Sequence, residues 1–122
     1  MATNYVSDGN VIQWTNGTGS AVDSGAVVVL GHIIGIVLVD IANGASGSVA
    51  VEGVFTVPKV SAAVIAQGEK TIYDVSAGAF DDSSATPASG DITGAAVAFA
   101  AGANGETTML VKLTPGNATK TA

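Results

Sequence analysis

Apolar residues in this chain come in short runs of β-branched side chains, cut by glycine-rich polar breaks, and that spacing predicts strands. Val27–Leu30 and Ile33–Ile41 read as two strands or one long bent strand, with Gly31 and Gly35 marking a bulge or a close backbone approach. Branched side chains pack well on a pleated surface and lose rotamer freedom in helices, so these runs favour strand over helix. The segment Ser48–Val57 alternates apolar and polar positions as one half-buried strand does, until Pro58 withholds a ladder N–H. Lys70–Val75 and Ala79–Phe80 flank Ser76-Ala77-Gly78 as a hairpin, and Ile92–Ala100 and Glu106–Leu113 form another around Asn104-Gly105. Val11–Trp14 is a short strand before the loop Asn16–Ser20. The one helical signal is Ser61–Ala66, where Ser61 can cap amide groups, alanine favours helix and Gly68 suits a left-handed end.

These elements predict an all-β chain: a small β-barrel or β-sandwich of about seven to nine short antiparallel strands. At most one short helix is expected, near 61–66. Residues 1–10 are polar and end in the turn signal Asp8-Gly9-Asn10, so they read as an extended N-terminal arm on a single domain spanning 11–122.

Composition narrows the function. A chain of 122 residues can bury a core without staples, and with no Cys it can form no disulfide, thiolate nucleophile or Cys-type zinc site. Net charge is −6, with four Lys and no Arg, which disfavours nucleic acid as a partner. Charged residues are 11% of the chain against about 25% in ordinary globular domains, so few charges hold neighbours apart and self-association is expected. The longest apolar stretch, Ala26–Val39, is broken by Gly31, His32 and Gly35 and falls short of the roughly 20 residues of a bilayer-spanning helix. No membrane partner is expected, and the lack of a secretory pattern in Met1–Tyr5 points to synthesis in a cytosol.

Candidate chemistry is thin. His32 is the single histidine, in a Gly31-His32-Ile33 context that reads as a strand corner, so a multi-histidine metal site is excluded. Asp81-Asp82 lies in a Ser-rich loop without calcium-loop spacing, and Gly17 and Gly19 lack the third glycine of a dinucleotide fingerprint. The expectation is no enzyme, no metal and no cofactor. Phe55, Phe80 and Phe99 sit in strands and read as core. Trp14 and Tyr5 lie in or beside the polar N-terminal region, where an aromatic ring serves either core or interface.

The order of several segments carries a resemblance. Asn4-Tyr5-Val6 with Asp8-Gly9 comes first, followed by Gly25–Val29 leading to Gly35-Ile36-Val37, then Gly47–Lys59. Gln67-Gly68-Glu69-Lys70 with Ile72-Tyr73-Asp74, Gly94–Ala98 and Met109–Leu113 complete it. This order resembles a family of tailed-bacteriophage capsid decoration, or cement, proteins, long catalogued as a domain of unknown function and sometimes mislabelled recombinase-like. The Asp81–Asp91 loop departs from that pattern in its length and polarity. The resemblance implies a β-barrel-like subunit on the outside of the virion, bound to the major capsid protein and reinforcing an icosahedral head. It further implies a homo-oligomer, a trimer at three-fold positions before a dimer. The capsid-binding residues expected are Ala2, Thr3, Asn4, Tyr5 and Val6 of the arm, together with Trp14. A second reading of the same composition is a secreted carbohydrate-binding or surface-layer β-module.

Overall fold

A computed structural model describes Thr3, Asn4 and residues 6–122. The chain is all-β, with strands in two antiparallel sheets and, among the described residues, only one turn of 3₁₀ helix, at Pro115–Asn117. The first sheet holds β1 (Val11–Thr15), β2 (Val27–Leu30), β3 (Ile33–Val37) and β4 (Ser46–Ala50) in the order β1-β4-β3-β2. The second holds β5 (Val54–Pro58), β6 (Lys70–Asp74), β7 (Ala79–Asp81), β8 (Ile92–Ala98) and β9 (Thr108–Leu113) in the order β5-β9-β8-β6-β7, with β10 (Thr119–Lys120) added to β8. Of barrel and sandwich, the sandwich is what forms. The outer strands β5 and β7 meet through a single parallel bridge, Lys59 to Phe80, so the second sheet curls without a closing ladder.

The core explains the uneven hydrophobic pattern. Ile34 and Ile36 of β3, supported by Val27 and Val29, face the second sheet and pack with Phe80, Ile92, Ala96 and Val111. Val28, Val37 and Val49 point the other way and form a smaller cluster with Ile41, covered by Trp14, Val22 and Ala26. Because β3 is covered on both faces, Ile33–Val37 is a nearly unbroken apolar run. In β9 only one face is covered, and Met109, Val111 and Leu113 are buried while Thr108, Leu110 and Lys112 are exposed.

Gly31 and Gly35 separate into two roles. Leu30 pairs with Ile33, so β2 and β3 are a hairpin whose loop is Gly31-His32, and Gly31 adopts φ +64 at its first position. Gly35 is the close approach: a Cβ there would strike Val49 Cγ1, lie 2.9 Å from Leu30 Cδ1 and 3.1 Å from the Ala50 carbonyl. Alanine at this position gains about 0.4–1 kcal/mol from the unfolded chain but forces a packed sheet apart at a cost of about 1–3 kcal/mol, so the clash wins. Gly35→Ala should lower the urea midpoint by an amount worth about 1–2 kcal/mol; an unchanged midpoint would show that Val49 and Leu30 yield freely.

Two expectations are corrected. Ser61–Ala66 is not helical: Ile65 exchanges both backbone bonds with Gly102, at 2.9 and 2.8 Å, and Gly105 N–H donates to the Ser61 carbonyl. Ala63 and Ile65 are buried while Val64 is exposed, an alternation that docks the segment on the β8–β9 loop. Pairing with that distant loop outweighs the helix preference of three alanines, a few tenths of a kcal/mol per residue at most. Ser48–Val57 is also not one strand. It breaks after Ala50 as the chain crosses between sheets, with Val51 N–H bonded to the Asn10 carbonyl and the Gly53 carbonyl taking Leu113 N–H.

Candidate docking surfaces

Four of the six predicted contact residues lie among the described residues. Ala2 and Tyr5 lie outside the described residues. Thr3 and Asn4 are exposed in a turn, and the apolar side chain of Val6 is 91% exposed. Residues 7–10 are exposed too, and the Asn10 carbonyl, bonded to Val51 N–H at 2.9 Å, fixes where this segment joins the first sheet. Trp14 is different: it is half-buried on β1 and packs on the Val28, Val37, Ile41 and Val49 cluster. Its ring lines a cleft of about 380 Å³ with Val22, Val28, Tyr73 and Val75.

That cleft follows the free edge of β2. Val37 N–H donates to the Ala26 carbonyl, which sets the phase of the β2–β3 ladder. Val28 and Leu30 therefore bond to β3, while Val27 and Val29 direct N–H and C=O groups out of the sheet. An exposed strand edge beside an apolar cleft can accept an extended segment through backbone hydrogen bonds.

Buried polar groups hold the loops around these surfaces. Asn16 is completely buried; its Nδ2 donates to the Ser20 and Ile41 carbonyls at 2.8 and 3.1 Å, and its Oδ1 accepts from Thr18 N–H and Oγ1. Lys59 is only 4% exposed, with Nζ donating to the carbonyls of Val60, Ser61 and Glu106. Asp91 is buried and accepts Val75 N–H at 3.1 Å and Ala88 N–H at 2.9 Å, tying the 82–91 loop to the β6–β7 hairpin. Among the described residues no buried side-chain polar atom lacks a partner.

The remaining acidic candidates serve the backbone locally. Asp81 accepts Asp82 N–H, and Asp82 accepts the N–H and hydroxyl of Ser84. Backbone N–H groups of Ala66 and Ser83, with the Ser83 hydroxyl, hold the Glu69 carboxyl below its ordinary range; the Ser76 hydroxyl and Ala77 N–H do the same for Asp74. Burial pushes the Tyr73 phenol up, and its ring lies 5.0 Å from that of Phe80. His32 is exposed at the tip of the β2–β3 hairpin, and no group of three metal-ligating side chains is found among the described residues.

Phe80 is in the core as expected and Phe55 is half-buried against it, but Phe99 is 50% exposed. It follows Ala98, which faces inward, and its N–H donates to the Leu110 carbonyl, so the next side chain in the alternation faces out. Sequence reasoning missed the surface this creates, although the polar phase of Thr108, Leu110 and Lys112 already marked that face as solvent-exposed.

A family model described as phage cement protein matches residues 6–113 of the 122-residue chain. No curated protein and no solved structure matches it.

Proposed function

Because the chain belongs to the phage cement protein family, a structural family of the bacteriophage capsid, we propose that it binds the outer face of the assembled head and stabilises it. In this reading it is made in the host cytoplasm, joins the virion exterior and contacts the major capsid protein as a homo-oligomer, a trimer at three-fold positions. Residues 1–10 act as the arm and 11–122 as the body. The observation that supports gripping by the arm is Val6, an apolar side chain left almost wholly in solvent at the end of an exposed segment. An extended strand of this kind adds to a sheet edge on its partner through backbone bonds. Several arms on one oligomer turn later contacts into intramolecular ones, so weak individual grips suffice. Trp14 contributes from the cleft beside the β2 edge.

The test is co-sedimentation with phage heads. Deleting Ala2–Ser7 should reduce head binding at least about tenfold while the far-ultraviolet circular dichroism of the body is unchanged, since the described residues of the segment, Thr3, Asn4, Val6 and Ser7, are all exposed. Undiminished binding by the deleted form would exclude the arm as the grip.

A further inference from the structure

Two lysines and four apolar side chains share the outer face of the second sheet, in rows fixed by strand register. Phe99, Leu110 and Thr56 make one row: Phe99 N–H bonds to Leu110, and Leu110 pairs with Thr56. Lys70, Val97, Lys112 and Val54 make the next, each paired with its neighbour. Phe99, Leu110 and Val54 are exposed, and a dent of about 300 Å³ lined by Thr56, Ala100, Ala101, Glu106 and Leu110 lies beside them, where the Glu106 carboxylate accepts Ala103 N–H. No carboxylate belongs to either row. Neither ammonium group has a hydrogen-bond or ion-pair partner among the described residues. Glu69, next to Lys70 in sequence, has its oxygens occupied by Ala66 and Ser83.

This face is unlike the rest of the chain. Of four lysines Lys59 is buried, so two of the three exposed ones stand here, on a protein of net charge −6. The first sheet packs against the other side of the second, through Ile34 and Ile36. Asp23 and Asp40, exposed in the loops entering β2 and leaving β3, belong to that first-sheet layer, and one Asp40 oxygen also accepts Ser24 N–H. One molecule thus carries an apolar-centred face with two unpaired lysines on one layer and exposed carboxylates on the other. An aromatic and aliphatic centre with charges at its margin is the usual make-up of a protein interface.

We propose that this face docks a second copy of the chain, head to tail, with Phe99 and Leu110 at the centre and Lys70 and Lys112 against the carboxylates Asp23 and Asp40 of the other copy. The occupant follows from charge complementarity: unpaired lysines call for carboxylates, and the chain itself, at net charge −6, exposes them on its other layer. Head-to-tail contacts close into rings when the rotation allows, which suits an odd-numbered oligomer. The inference rests on the self-associating part of the reading above and locates its contact.

Native mass spectrometry and sedimentation velocity of the full chain test it. The wild type should be oligomeric and dissociate as salt rises from about 0.05 to about 0.5 M. Lys70→Glu/Lys112→Glu and, separately, Phe99→Ser/Leu110→Ser should each weaken association at least about tenfold with the circular dichroism spectrum retained, because all four side chains are solvent-facing. Adding Asp23→Lys/Asp40→Lys to the lysine variant should restore association, which a merely misfolded variant could not show. A monomeric wild type, or an oligomer that survives both pairs of substitutions, overturns the inference. Head binding by a wild-type monomer would sink this contact and leave the capsid reading standing; an oligomer built through this face that ignores heads would do the reverse.

Discussion

Asn16→Asp should be the most damaging single-atom change in the chain, with a loss of about 3–5 kcal/mol at neutral pH. The side chain is fully buried, and its Nδ2 gives one hydrogen to the Ser20 carbonyl and one to the Ile41 carbonyl. Substitution turns two donor–acceptor contacts into oxygen facing oxygen and buries a charge with no cation beside it. Among the described residues the donors on the other side of the group are the Thr18 N–H and hydroxyl, which already serve Oδ1 and cannot compensate. The loss is a large part of the about 5–15 kcal/mol that holds a domain together, and the melting temperature should fall by about 10–20 °C. The pH dependence checks the mechanism. Burial and the two carbonyls favour the protonated form of the new carboxyl, so its pKa is raised on folding above the unfolded value of about 3.9. Its penalty is therefore full above the raised value and shrinks as pH falls through it. A melting profile parallel to that of the wild type across that range would show that the loop opens and lets water reach the group.

Lys59→Met comes next, with an expected loss of about 2–4 kcal/mol. Methionine keeps most of the stem that lies against Gly102 but gives up three charge-assisted hydrogen bonds. Those bonds join the turn after β5 to the β8–β9 loop, because their acceptors are Val60, Ser61 and Glu106. Left without donors, the carbonyls must find water, and the two loops must part for it to enter. Hydrogen exchange should therefore accelerate at Ile65 and Gly102, which are paired across that junction, well before it does at Val49 in the other sheet. Uniform acceleration across both sheets would mean that Lys59 acts on the whole fold and not on this junction.

Lys59 and Asn16 also show where sequence reasoning ends. Nothing in Pro58-Lys59-Val60 or in Thr15-Asn16-Gly17 marks those residues as buried, since lysine and asparagine in such contexts are usually solvated. Their burial comes from partners 47 and 25 positions away in the chain. The strands fared better. The β2–β3, β6–β7 and β8–β9 pairs lie where β-branched runs and turn residues put them. Of the expected contact residues, Val6 is exposed, whereas Trp14 lies on the apolar cluster of the first sheet. The basic outer face was written in the alternation of β9, but its meaning needed the neighbours: Lys70 and Lys112 are 42 positions apart and come together only because both flank Val97 on β8.

Local pattern was enough for the all-β class, the approximate strands, an irregularity at Gly31 and the family order of segments, because period-two alternation and β-branching act within a few residues of chain. The rest required the assembled sheets. Whether 61–66 coils into a helix, which way Phe99 points and which polar side chains are enclosed depend on contacts between remote segments, and their free energies outweigh the small local preferences that the amino-acid order expresses.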